Sequence, residues 1–135
     1  MKKILCAMLV SVLVLTGCGS AKTLKGEYTY DNDGAEETAV IEFVKDGDDI
    51  TEVKNIDVLG DEFPDGKVAY SESGEYGMAA TTGGNTWAQQ IQMLADYIVE
   101  NDKFPTLDEE GHDVDGVTGA SIKFNEFEQA FNAAK

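Results

Sequence analysis

The sequence predicts an α+β fold, an antiparallel sheet with helices packed on it. Apolar residues alternate with polar ones through the first half of the chain, as in half-buried strands. In the second half they recur at i, i+4 and i+7, as on amphipathic helices. Strands first and helices later suits helices packed on an antiparallel sheet better than a βαβ alternation. At 135 residues the chain is short for more than one domain, and it shows no internal repeat and no Pro-rich linker.

The first segment, residues 1–17, reads as a signal peptide. Lys2 and Lys3 precede an apolar run from Ile4 to Leu15, broken only by Ser11, which leads into Thr16-Gly17-Cys18. A positive start, an apolar stretch and small residues before a cut are the parts of a secretory signal, here ending in Cys rather than A-x-A. Leu15-Thr16-Gly17-Cys18 resembles a bacterial lipobox, in which the Cys thiol is diacylated and the peptide is cut just before it. The alternative is an uncleaved membrane helix, but the run is about a dozen residues where a span needs about 20. Cys18 is then the lipidation site, residues 18–23 a lipidated tether and residues 24–135 the domain. The expected location is the cell membrane, lipid-anchored on its extracytoplasmic face.

Within the domain, Leu24 to Tyr30 suits a short strand. Thr38 to Val44 places Ala39, Ile41 and Phe43 on one face, and Ile50 to Val58 places Ile50, Ile56 and Val58 in one phase. Lys45-Asp46-Gly47-Asp48-Asp49 between them is a turn, so the two form a hairpin. Tyr70 to Met78 mixes Tyr, Ser, Gly and Glu and reads as loop. Trp87, Ile91, Leu94, Ala95 and Ile98 form one helical stripe, Thr86 with Gln89 fits a capping box, and the helix ends near Asn101, before Pro105. A second helix carries Phe124, Phe127, Ala130, Phe131 and Ala134.

Charge and cysteine content narrow the function. Ten Lys, no Arg and 26 acidic residues give a net charge of −16, so nucleic acid is not an expected partner, because phosphate binding needs a basic face. With Cys6 in the signal and Cys18 lipidated, no thiol remains for a disulfide or a Cys nucleophile. The single His, His112, sits among Asp108, Glu109, Glu110 and Asp113 and reads as surface rather than as a metal ligand; no metal is expected. Trp87 reads as a core anchor, with cofactor contact the alternative.

The segment Asp115-Gly116-Val117-Thr118-Gly119-Ala120-Ser121 precedes the last helix. Gly119 and Ala120 leave room for a bulky group near the backbone, Thr118 and Ser121 supply hydroxyls, and Ser121 lies near a helix N-terminus, which favours phosphate. An Asp-Gly turn followed by a Ser helix cap would account for the same residues. The segment also resembles the D-x-x-[ST]-G-A-[TS] flavinylation motif of FMN-binding domains. These occur in subunits of ion-pumping quinone and ferredoxin oxidoreductases and in extracellular electron-transfer lipoproteins. Lys25-Gly26-Glu27-Tyr28 resembles the G-x-Y opening of that domain, and Lys45 to Val53 resembles its hairpin. Lys67, Tyr70 and Gly77-Met78 resemble its middle segment, so the likeness covers most of residues 24–135.

The resemblance implies that a flavin transferase places FMN on Ser121 as a phosphoester, with Asp115, Thr118, Gly119 and Ala120 as motif residues for transfer or phosphate holding. Tyr76 and Met78 are candidate ring contacts, since an aromatic face and a thioether suit a flat, polarizable ring. It further implies an electron-transfer flavoprotein rather than a stand-alone enzyme, carrying electrons from a membrane quinol or redox complex to an external acceptor. The alternative is a non-redox binding lipoprotein that keeps the fold without flavin. Cys18→Ser is expected to block lipidation and removal of residues 1–17. Mass spectrometry of the membrane-extracted protein checks this: processing of the variant at the same site, with no acyl chains on the wild type, would refute the lipoprotein reading.

Overall fold

The computed structural model describes residues 21–74, 76, 85–114, 117 and 122–135. Strands β1 (Ala21–Asn32), β2 (Ala35–Asp46) and β3 (Asp49–Gly60) form an antiparallel sheet in the order β1-β2-β3. Helices α1 (Lys67–Glu72), α2 (Trp87–Asn101) and α3 (Asn125–Ala133) follow, which is the expected α+β arrangement. No helix among the described residues is long and apolar enough to cross a membrane.

Both hairpins turn on two residues. Asp33 and Gly34, both at positive φ, join β1 to β2, and the Asp31 carboxylate accepts the Gly34 N–H at 2.9 Å. Gly47 and Asp48 join β2 to β3, with Gly47 at φ 62°. Only residues that tolerate this backbone region fit such turns. β1 is longer than its apolar content suggests. It begins at Ala21, inside the segment read as tether, because Ala21 to Thr23 pair with Val44 to Asp46.

One face of the sheet carries the core. Ala39, Ile41 and Phe43 of β2 are buried, with Ile50, Ile56 and Val58 of β3 in the expected phase. Glu42 pairs with Asn55 and Phe43 with Val53, then Val44 with Glu52 and Lys45 with Ile50. Lys54 and Thr51 are therefore extra residues at two bulges. Each bulge inverts the alternation, so Val53 joins the core face and Ile50 keeps it.

Helix α2 lies on β3, and α3 lies on β1 and β2. Trp87, Ile91, Leu94 and Ile98 are buried, and the Thr86–Gln89 capping box is formed, with Gln89 N–H donating to Thr86 Oγ1 at 3.1 Å and Thr86 N–H to Gln89 Oε1 at 2.8 Å. Asp102, in the left-handed region, closes α2, and its carboxylate accepts the Ile50 N–H at 2.7 Å, tying the helix end to β3. Phe131 of α3 stacks on Phe43 at 4.9 Å, and Phe127 meets Trp87 at 6.1 Å, so one aromatic seam joins sheet and helices.

Residues Tyr70 to Glu72, expected in a loop, are the end of α1. Tertiary partners, not propensity, make this helix. The Asp57 carboxylate accepts the Val68 N–H at 2.9 Å, and the buried Ser71 hydroxyl accepts the Ala88 N–H at 3.1 Å, docking α1 on the start of α2.

At Gly26 the backbone of β1 touches α3 directly. A Cβ there would overlap the Ala130 carbonyl, and the next contact is the Ala134 nitrogen at 2.9 Å. These are backbone atoms, which cannot rotate away. Gly26→Ala is expected to cost about 1–3 kcal/mol or more, whereas Gly47→Asn, in open space at a φ that Asn tolerates, costs far less. Urea unfolding checks this through a lower midpoint for Gly26→Ala at unchanged slope.

Candidate functional site

A cavity of about 340 Å³ opens where the ends of the sheet, α1, α2 and α3 converge. Tyr30 and Glu37 supply its sheet wall, Lys67 and Trp87 come from the starts of α1 and α2, Ile122 from the segment just before α3 and Glu126 from the first turn of α3. Tyr76 lines it as well. A larger groove of about 670 Å³ runs between β3 and α2. Among the described residues its walls hold no aromatic ring, and Lys54 and Glu72 are their charged side chains, so the smaller cavity is the better place for chemistry.

Register and alternation build the sheet wall. Tyr30 and Glu37 are cross-strand partners on the core face. Glu37 is only 6% exposed, and both of its oxygens are used: Tyr30 Oη donates to Oε2 at 2.8 Å and Asn32 Nδ2 to Oε1 at 3.0 Å. Burial and the adjacent Glu37 carboxylate push the Tyr30 phenol far above the usual tyrosine value of 10.0. Tyr76 is raised too, by burial first and then by Glu37.

Lys67 stands opposite. Its Nζ lies 5.1 Å from the ring centroids of Tyr76 and Trp87 and 5.4 Å from that of Phe63. Burial lowers its proton affinity below the usual lysine value, while the charges of Glu37, Glu62 and Glu126 act the other way. Among the described residues no carboxylate lies within 4 Å of this ammonium. The ring faces are its close partners.

Gln90, fully buried on α2, works at the back of the site. Its Nε2 donates to the Asn85 carbonyl at 3.2 Å and its Oε1 accepts the Ile122 N–H at 3.1 Å. One side chain thus fixes the backbone on the way into α2 and into α3. Val117 is 5% exposed and donates its N–H to the Asp113 carboxylate at 3.0 Å, while Gly111 accepts the Phe124 N–H at 2.8 Å. The Asp108 carboxylate accepts the N–H groups of Glu110 and His112 at 2.9 and 3.0 Å, and these bonds hold its carboxyl below the usual aspartate range.

Of the sequence-predicted site residues, Tyr76 lines the cavity. Asp115, Thr118, Gly119, Ala120, Ser121, Met78 and Cys18 lie outside the described residues. Their described neighbours Val117 and Ile122 are held as above. Trp87 is a core residue, 4% exposed, and it lines the cavity. His112, expected on the surface, also lines the cavity. Helix α3 begins at Asn125 with Phe124 as its cap, and Glu126 and Glu128 occupy its first turn. The N-terminal end of this helix thus carries negative charge of its own.

Sequence reasoning missed Glu37, Tyr30 and Gln90. Two of these left a signal, since Glu37 shares the phase of Ala39, Ile41 and Phe43, and Gln90 lies at i+3 in the Trp87 stripe. A polar residue at a core position is a mark of a built network. Comparison with family models, curated proteins and solved structures finds no match to this chain.

The raised phenol of Tyr30 has a pH consequence. Below about pH 10 both folded and unfolded chains keep it protonated. Above that the unfolded chain ionises first, so stability falls as pH rises. Tyr30→Phe is expected to flatten this fall, measured as the difference in urea stability between about pH 9 and pH 11 for the two proteins.

Proposed function

We propose that this protein is a membrane-anchored, extracytoplasmic electron carrier that holds FMN covalently through a phosphoester at Ser121. The observation that carries the reading is a conjunction of sequence and cavity. Asp115 to Ser121 resembles the flavinylation motif, and Ile122, the next residue in the chain, lines a cavity whose walls include Tyr76 and Trp87. Its volume of about 340 Å³ falls at the lower end of the range of about 300–1,000 Å³ for small-molecule sites. Flat aromatic walls and the Lys67 ammonium suit a planar, electron-accepting ring.

On this reading FMN supplies the redox chemistry when bound, and the chain supplies position and polarity. Tyr76 and Trp87 offer faces to the ring system, Lys67 a positive charge, and the backbone clamp of Gln90 a fixed approach to the attachment segment. A covalent link turns retention of the cofactor into an intramolecular matter, which suits a protein facing dilute surroundings. The lipid on Cys18 would keep the domain near a donor in the membrane, a quinol or redox complex. A flavin transferase is the partner that installs the cofactor. The acidic surface (the full chain has a net charge of −16, and loss of residues 1–17 removes Lys2 and Lys3 but no acid) favours cationic over anionic acceptors at low salt.

The test is export of the protein together with a flavin transferase, followed by intact mass and visible absorbance. The wild type is expected to carry one FMN, Ser121→Ala none, and Asp115→Ala less than the wild type. Wild-type protein without flavin would leave the non-redox binding lipoprotein as the reading. Flavin retained by Ser121→Ala would move the attachment, with Thr118 the first place to look.

A further inference from the structure

We propose that Lys67 sets the reduction potential of the group held in this cavity, its ammonium favouring the state that carries added negative charge. This rests on the FMN reading above. Lys67 opens α1, whose first turn is fixed by the Asp57 carboxylate on the Val68 N–H at 2.9 Å and by the Gly66 carbonyl on the Tyr70 N–H at 3.2 Å. From there its Nζ reaches three ring faces at 5.1, 5.1 and 5.4 Å. Ring faces attract a cation and keep water from it without neutralising it.

Among the described residues no charge forms an ion pair with this ammonium. Glu37 of β2 has both oxygens engaged by Tyr30 and Asn32, and no carboxylate among the described residues comes within 4 Å of Lys67 Nζ. The charges of Glu37, then of Glu62, after β3, and Glu126, of α3, act on it from beyond that distance. The other two cationic candidates on the wall are weaker. Lys123 is exposed, and His112 Nδ1 has Glu110 at 3.7 Å and Asp108 at 4.0 Å to offset any charge it gains. Two electrons and one proton from a quinol, whose second proton goes to solvent, add one negative charge to a neutral flavin ring system. In a partly dry cavity Lys67 attracts such a charge more strongly than it would in water.

The experiment uses the flavin-loaded protein, poised at neutral pH in a spectroelectrochemical cell. Lys67→Met keeps the apolar stem and removes the charge. At fixed potential its reduced-to-oxidised ratio is expected to fall at least tenfold, about 30 mV for a two-electron couple, while Lys67→Arg stays within about threefold of the wild type. Urea midpoints confirm that each variant is folded, and Lys67→Gln serves as the second uncharged variant if Lys67→Met does not fold. An unchanged ratio in the uncharged variants, or a shift in Lys67→Arg equal to theirs, overturns the role of Lys67 and leaves the FMN reading standing. Wild-type protein without flavin overturns both.

Discussion

Helix α3 rests on bare backbone. Gly26 is the one place where β1 offers no side chain to the helix, and the Ala130 carbonyl occupies the space a Cβ would need. That close approach sets the height of α3 above the sheet. It lets Phe131 stack on Phe43 and brings Phe127 against Trp87, and it places Glu126 beside the Tyr30 end of the sheet. The chain end reinforces it, since Lys135 and Lys25 exchange backbone hydrogen bonds at 3.1 and 3.2 Å. The cavity exists because α3 is held low at its C-terminal half while its N-terminal end faces Tyr30 and Glu37.

Around that cavity the fold buries polar groups and satisfies them. Glu37, Asp57, Ser71 and Gln90 are buried polar residues, and each has partners on another element or loop. Leaving such a group without a partner costs about 1–3 kcal/mol, more if it is charged, so these contacts are constraints as well as attractions. They cluster on the sides of the core where α1, α2 and the loop before α3 meet the sheet. The same end collects Lys67 under three rings. A chain with a large acidic excess thus carries a shielded positive charge at the place where the motif segment leads into α3.

Much of the framework was legible along the chain. The alternation in β2 announced its core face, and the Thr86–Gln89 box with the Trp87 stripe announced α2. The Asp46-Gly47 turn did the same for the second hairpin, and Asp33-Gly34 is the same kind of signal for the first. Helix α1 was not legible: Tyr70, Ser71 and Glu72 form no apolar stripe, and their helical turn depends on Asp57, eleven residues upstream of Val68, and on Ala88, seventeen residues downstream of Ser71. The two bulges in β3 were hidden for a similar reason. Strict alternation keeps Ile50 and Ile56 in phase but puts Val53 on the wrong face, and only pairing with Phe43 corrects it.

The sequence by itself determined the three strands and the helices α2 and α3 in their order, the faces of these that must be buried and the chemistry that Asp115 to Ser121 can offer, because these follow from periodicity and residue type within short windows. The tertiary structure alone decided which side chains share the cavity. Tyr30, Glu37, Lys67, Tyr76, Trp87 and Ile122 are spread over most of the domain, and no local preference brings them together. Strand register set Tyr30 against Glu37, the capping of α1 by Asp57 aimed Lys67 at the rings, and the reach of Gln90 drew the Asn85 and Ile122 backbones to one point. The Asp57–Val68 and Gln90–Ile122 contacts join residues 11 and 32 positions apart, and a reading of one short window of the chain cannot name such partners.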